Sequence, residues 1–133
     1  MVCIYCNSAT KIINSREQKK PNNKWRRRKC LKCSSTLTTI ETVDYSKAIS
    51  VLFKDKSAPF SRNKLFISIY LACKHRKDAL SAADALTDTA LAHIIRKLDH
   101  ASVSNGTIRD ITLPILKRFD KSAYVQYDAY HKD

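Results

Sequence analysis

Apolar side chains are unevenly distributed along the chain. Residues 1–45 contain few large aliphatic groups, whereas residues 48–130 carry most of the Leu, Ile, Phe and Tyr. In the first stretch the pattern favours short strands. Thr10 to Arg16 reads as one, Lys19 to Lys24 as a polar hairpin loop, and Trp25 to Lys29 as the returning strand. Ser35 to Val43, rich in Thr with Ile40 and Val43, predicts a third. Asp44-Tyr45-Ser46 is the expected boundary.

The second stretch opens with a predicted strand, Ala48 to Phe53, a turn at Lys54 to Ser57, and a return through Ala58-Pro59-Phe60. Ser61 then reads as the N-cap of a helix reaching about His75, with Leu65, Phe66, Ile69, Tyr70 and Cys73 at helical spacing. Ser81-Ala82-Ala83-Asp84 has the form of a capping box and predicts a second helix, with Leu86, Ala90, Leu91, Ile94, Ile95 and Leu98 on one face. Asn105 is the expected cap of a third helix, Thr107 to Phe119, which Pro114 should kink. Asp120 should cap a fourth, with Ala123, Tyr124, Tyr127 and Tyr130 at three- and four-residue spacing. The fold class expected is α+β. A small N-terminal β module, residues 1–45, precedes a mostly helical module with a short β-hairpin, residues 46–133.

The first module is too poor in apolar residues to fold on burial alone. Its cysteines supply another source of order. Cys3-Ile4-Tyr5-Cys6 and Cys30-Leu31-Lys32-Cys33 are two C-x-x-C pairs with 23 residues between them. Each pair turns tightly, and two such knuckles make a tetrahedral set of four thiolates suited to Zn2+, one ion per chain, with a β-hairpin filling the gap. Two disulfides or a thioredoxin-like redox pair are the other readings. Disulfides need an oxidising compartment, and a redox motif is one C-x-x-C after a strand. The fifth cysteine, Cys73, falls in an apolar stretch and reads as a core residue.

The formal net charge is +13 over 133 residues, which points to a polyanionic partner. Residues 1–45 carry ten Lys/Arg against Glu17, Glu41 and Asp44, a balance of +7, or +5 once zinc on four thiolates adds −2. The focus is Arg26-Arg27-Arg28-Lys29, running directly into Cys30. On a strand, Arg26 and Arg28 face one way and Arg27 and Lys29 the other. Such a β-ribbon fits the major groove of B-DNA, with Arg16 and nearby lysines available for phosphate. Met1-Val2-Cys3 leads straight into the first knuckle without an apolar leader, and Leu65 to Cys73 is too short to span a bilayer. A cytoplasmic protein without a membrane partner is expected. The four histidines are scattered, none lies in a nucleophile motif, and a closed four-thiolate site leaves no open metal position. No catalytic residue is assigned, and no enzymatic activity is expected.

Taken in order, several stretches resemble one bacterial family, the zinc-ribbon and ATP-cone repressors of ribonucleotide reductase genes (NrdR). They are the first C-x-x-C, Ile12-Ile13-Asn14-Ser15-Arg16, Arg26 to Cys33, Thr38-Thr39-Ile40-Glu41, Pro59-Phe60 with Lys64-Leu65, and Phe119 to Val125 followed by Tyr130. The resemblance implies that residues 1–45 bind double-stranded DNA at paired operator boxes, through Arg16, Arg26, Arg27, Arg28 and Lys29. It implies that residues 46–133 form an ATP-cone whose ATP or dATP effector sets a homo-oligomeric state. Nucleotide contacts are then expected from Val51, Lys54, Lys64 and Asn105. The family's Val-x-Lys-Arg-x-Gly strand, aligned without a gap, puts Leu52 and Phe53 at the basic positions and Asp55 at the glycine. A shift of one or two residues brings Lys54 into place. The alternative is an effector-independent zinc-ribbon nucleic-acid-binding protein, acting on RNA or on transcription machinery, whose degenerate cone serves oligomer contacts alone.

Overall fold

The computed structural model describes residues 1–132. The chain divides into two compact units, the first Met1–Val43 and the second beginning at Asp44.

The first unit is a three-stranded antiparallel sheet in the order β1 (Thr10–Gln18), β2 (Asn23–Cys30), β3 (Thr36–Thr42). The hairpin turn between β1 and β2 is shorter than the expected loop, and Asn22 holds the left-handed conformation there at φ 50°. The register changes between Ile12 and Asn14: Ile12 faces Arg28 and Asn14 faces Arg27, which leaves Ile13 as an extra residue. This is a β-bulge, and it reverses the face on which every later side chain of β1 lies. Within this unit only Cys3 and Cys30 are buried, at 1% and 2% exposure. No aliphatic side chain forms a core there.

The second unit begins with α1 (Tyr45–Ala48), a single turn where the sequence suggests only a boundary. Asp44 caps it, its carboxylate accepting from the Ser46 amide at 3.1 Å. β4 (Ser50–Phe53) and β5 (Lys56–Pro59) form the hairpin, closed by Lys54-Asp55 with Lys54 at φ 52°. α2 (Arg62–Cys73) starts at Ser61, whose hydroxyl accepts from the Lys64 amide at 3.2 Å. α3 (Ala79–Arg96) starts two residues before the Ser81 box. Its N-cap, Asp78, makes no capping bond because Arg76 holds that carboxylate at 2.8 Å. β6 (Ser102–Ser104), not foreseen from sequence, pairs parallel with β4, Val103 facing Val51. Parallel strands need a long crossover, here α2 and α3.

α4 (Asn105–Phe119) is capped by Ser104 rather than Asn105. Ser104 closes β6 in extended conformation, so its hydroxyl is placed to accept from the Thr107 amide at 3.0 Å, and Asn105 becomes the first helical residue. The assigned helix continues through Pro114. Asp120 caps α5 (Lys121–Tyr130). Ile69, Cys73, Ala83, Ile94, Val103 and Leu116 lie in the centre of one core. Burial raises the Cys73 thiol pKa. Thr87 and Thr112, fully buried, donate back to the carbonyls of Ala83 and Ile108. Their hydroxyls are thereby satisfied inside the apolar core.

Candidate functional site

The two knuckles are built alike. The Tyr5 amide donates to Cys3 Sγ at 3.4 Å, and the Lys32 amide to Cys30 Sγ at 3.3 Å. One residue past the second cysteine, Asn7 and Ser34 turn left-handed at φ 60° and 62°. β1 and β2 then bring the knuckles together, with Thr10 opposite Cys30. Across them, Cys3 Sγ lies 3.7 Å from Cys33 Sγ and Cys6 Sγ 3.4 Å from Cys30 Sγ. All four sulfurs lie within 4.8 Å of one another. Sulfurs bound at about 2.3 Å around a tetrahedral zinc lie about 3.8 Å apart, so the set fits that ion. The Ser35 hydroxyl and amide pull the Cys33 thiol down to about 6, and hydrogen bonds from Ser8 shift Cys6 in the same direction. Both shifts favour the thiolate, the form that binds metal. The donor set is closed, with four soft ligands and none left for substrate.

The basic run lies on β2, the central strand of the sheet, and its side chains alternate. Arg26 Nη1 reaches Glu41 Oε2 at 3.1 Å, and Arg28 Nε donates to Thr39 Oγ1 at 3.2 Å. Arg27 and Lys29 are exposed. Arg16 pairs opposite Trp25 and is also exposed.

In the second unit a cavity of about 590 Å3 opens at the N-terminus of α4. Lys54 and Asn105 line it; Val51 and Lys64 do not. Val51 packs against the core, and Lys64 is exposed in the first turn of α2. Residues not singled out in the sequence complete the lining. Phe53, Tyr127 and Tyr130 supply aromatic surface, and Arg109 and Lys132 supply charge. Arg109 Nη2 donates to Asp128 Oδ1 at 2.5 Å, while its buried Nε has no partner among the described residues. His131 stacks on Tyr127 with ring centres 4.0 Å apart. No carboxylate lies among the described lining residues. The spacing of Arg109, Tyr127 and Tyr130 reads only as helix faces until β6 sets the start of α4 beside β4.

Comparison with known proteins agrees with this geometry. Residues 1–41 match the model of the transcriptional repressor NrdR-like N-terminal domain, a zinc ribbon. The whole chain is 28% identical to the transcriptional repressor NrdR of Koribacter versatilis, covering 82% of that protein. It is 29% identical to the NrdR of Psychrobacter arcticus, again over the whole chain and 88% of the relative. Against the NrdR of Chlamydia pneumoniae, 29% identity extends over 99% of the chain and 86% of that protein.

Fold and site thus define a zinc-ribbon protein with an appended α+β unit. Within that class, residues 1–41 match the NrdR-like zinc-ribbon domain, and the whole chain is similar, at 28–29% identity, to the transcriptional repressors NrdR named above. Its relatives are named as repressors, a regulatory role rather than an enzymatic one. No described helix is long and apolar enough to cross a membrane.

Proposed function

We propose that this protein is a cytoplasmic, zinc-dependent repressor of ribonucleotide reductase genes. In this reading the ribbon binds duplex DNA at paired boxes, the second unit is an ATP-cone, and ATP or dATP controls homo-oligomeric state and hence operator binding. The observation that carries the DNA-binding part is the make-up of the first unit. It buries no side chain except Cys3 and Cys30, yet it holds a central strand of four successive cations beside the thiolate cluster. A module with no apolar core, ordered by metal binding, exposes its sheet to a partner, and the charge selects a polyanion.

The cavity supports the effector. Aromatic rings at Phe53 and Tyr130 offer stacking for a base. The N-terminus of α4, Lys54, Arg109 and Lys132 offer donors and positive charge for phosphate. One observation favours the effector-independent reading: Leu52 and Phe53 stand on β4 where the resembling family carries a Lys-Arg pair, and Lys64 lies outside the cavity. Size-exclusion chromatography with and without ATP and dATP, followed by DNA binding at each oligomeric state, separates the two. A nucleotide-dependent change in size and affinity supports the effector role. DNA binding indifferent to millimolar nucleotide supports the effector-independent protein.

A further inference from the structure

We infer that the ribbon reads DNA with one face of its sheet, through a central row of Asn14, Arg27 and Thr38 framed by phosphate-binding Lys11, Arg16 and Lys29. The inference rests on the DNA-binding reading above and specifies which side of the sheet performs it.

The register divides the side chains. Opposite residues in neighbouring strands share a face. One face therefore holds Ser15, Arg26 and Thr39 in one row and Glu17, Lys24 and Glu41 in the next. Both carboxylates of the sheet are there. They screen its cations, and Arg26 is paired with Glu41 at 3.1 Å. Arg28 on the same face is tied to Thr39. These two arginines tie β2 to β3 on this face; on the other, Arg27 Nη2 donates to Thr36 Oγ1 of β3 at 3.3 Å, and its remaining guanidinium N–H groups stay available.

The opposite face carries Lys11 beside Lys29 at one end and Arg16 beside Trp25 at the other, with no carboxylate. Between them runs the row Asn14, Arg27, Thr38. Those residue types match base edges: Arg to guanine O6 and N7, Asn to adenine N6 and N7, Thr to either. The Asn14 side-chain carbonyl accepts from the Ser15 amide at 2.8 Å, which fixes the side chain and leaves its NH2 free to donate.

The bulge at Ile13 creates this arrangement. Without the extra residue, strict alternation would place Asn14 and Arg16 on the Arg26 face and Glu17 on the Arg27 face. One inserted residue thus brings an amide and a guanidinium to the reading face and removes an acid from it. Bulges recur where a side chain must be re-aimed.

The test uses the full-length zinc-loaded protein, a duplex enriched from a randomised pool by that protein, and a scrambled duplex of equal composition. Affinity is measured between 50 and 200 mM salt, with zinc content and circular dichroism checked for each variant. Asn14→Ala and Arg27→Ala should each lower the specific-to-scrambled ratio by about five- to 150-fold. Lys11→Ala, Arg16→Ala and Lys29→Ala should leave that ratio unchanged. Each should reduce the salt slope by about 0.9, shrinking the affinity drop over this salt range about 3.5-fold on both duplexes. Arg26→Ala and Arg28→Ala, where zinc content is retained, should leave the specific-to-scrambled ratio unchanged. Deleting Ile13 should abolish discrimination with zinc still bound.

Loss of discrimination in the Arg26 or Arg28 variants, with Asn14 and Arg27 dispensable, would overturn the face assignment while leaving DNA binding intact. A protein that enriches no duplex and binds neither probe would overturn both.

Discussion

Asn7 and Ser34 occupy equivalent places in the two knuckles, each one residue past the second cysteine, and both hold a left-handed backbone, at φ 60° and 62°. Asn tolerates that region, and Ser does so less well. Ser34→Gly should therefore stabilise the zinc-loaded ribbon by about 0.5–1 kcal/mol, the relief of strain exceeding the entropy that glycine adds to the unfolded chain. Asn7→Gly should give a smaller gain. Thermal melts of the zinc-loaded protein, followed by Trp25 fluorescence, check the order. A Ser34→Gly protein less stable than the parent would contradict the strain argument.

The ribbon's dependence on metal gives a second expectation. Metal binding by a structural four-thiolate site is apparent folding free energy of about 10–16 kcal/mol, and here no aliphatic core substitutes for it. Elemental analysis should find one zinc per chain. Cys30→Ser or a strong chelator should disorder residues 1–43 while the helical circular dichroism signal of the second unit persists. Zinc content unchanged by Cys30→Ser would mean that the four thiols do not act as one site.

Much of this was legible in the sequence, for identifiable reasons. Cysteine spacing marks the knuckles, and Ser61 and Asp120 mark helix starts because their side chains are free to cap. Ser81 misled because α3 begins two residues earlier, at Ala79, after an N-cap, Asp78, whose carboxylate is held by Arg76 and makes no capping bond. β6 was hidden because three residues, Ser102 to Ser104, carry no periodicity, and only pairing with β4 makes them a strand. The bulge at Ile13 is likewise a property of register. Alternation along β2 correctly separated Arg27 from Arg26 and Arg28, but nothing local reveals that β1 changes phase beside them. In the cavity, Lys54 and Asn105 could be placed by resemblance, whereas Arg109 and Tyr130 needed the helices assembled.

The cavity yields a third prediction. Tyr130 is 79% exposed, so Tyr130→Ala should leave stability nearly unchanged. If its ring stacks on a base, ATP or dATP binding should weaken by about 1–3 kcal/mol. Lys54→Ala should cost about 1.5–3 kcal/mol of binding if its ammonium meets a phosphate. Lys64→Ala should have no such effect, since Lys64 does not line the cavity. Isothermal titration calorimetry of the three variants tests this. Weakened binding in Lys64→Ala alone would place the nucleotide elsewhere.

The last prediction concerns Asp120, which links two helix junctions. Its Oδ1 accepts from the Ser122 and Ala123 amides at 2.9 and 3.1 Å, capping α5. Its Oδ2 accepts from His75 Nε2 at 3.0 Å and Arg76 Nη1 at 2.9 Å, in the link between α2 and α3. Arg76 also lies over the Phe119 ring, 4.5 Å from its centre. The bonds from His75, then Arg76, then the Ala123 amide hold this carboxyl well below the usual carboxylate range. A carboxylate with a depressed folded pKa stabilises the fold fully above its unfolded value, about 3.9. That contribution falls as pH drops through 3.9 toward the folded value. Asp120→Asn keeps a capping oxygen and loses the charge, so it should cost up to about 1 kcal/mol near pH 7, as partly exposed ion pairs do. Asp120→Ala loses the cap as well, about 1 kcal/mol more. Urea unfolding of the second unit at pH 7 and pH 3 separates the terms. The deficit of Asp120→Asn relative to the parent should narrow at pH 3, because the parent's carboxylate begins to lose its advantage there. The additional deficit of Asp120→Ala should persist at both values. Equal Asp120→Asn deficits at the two pH values would show that the charge on Asp120 does not hold the two junctions together.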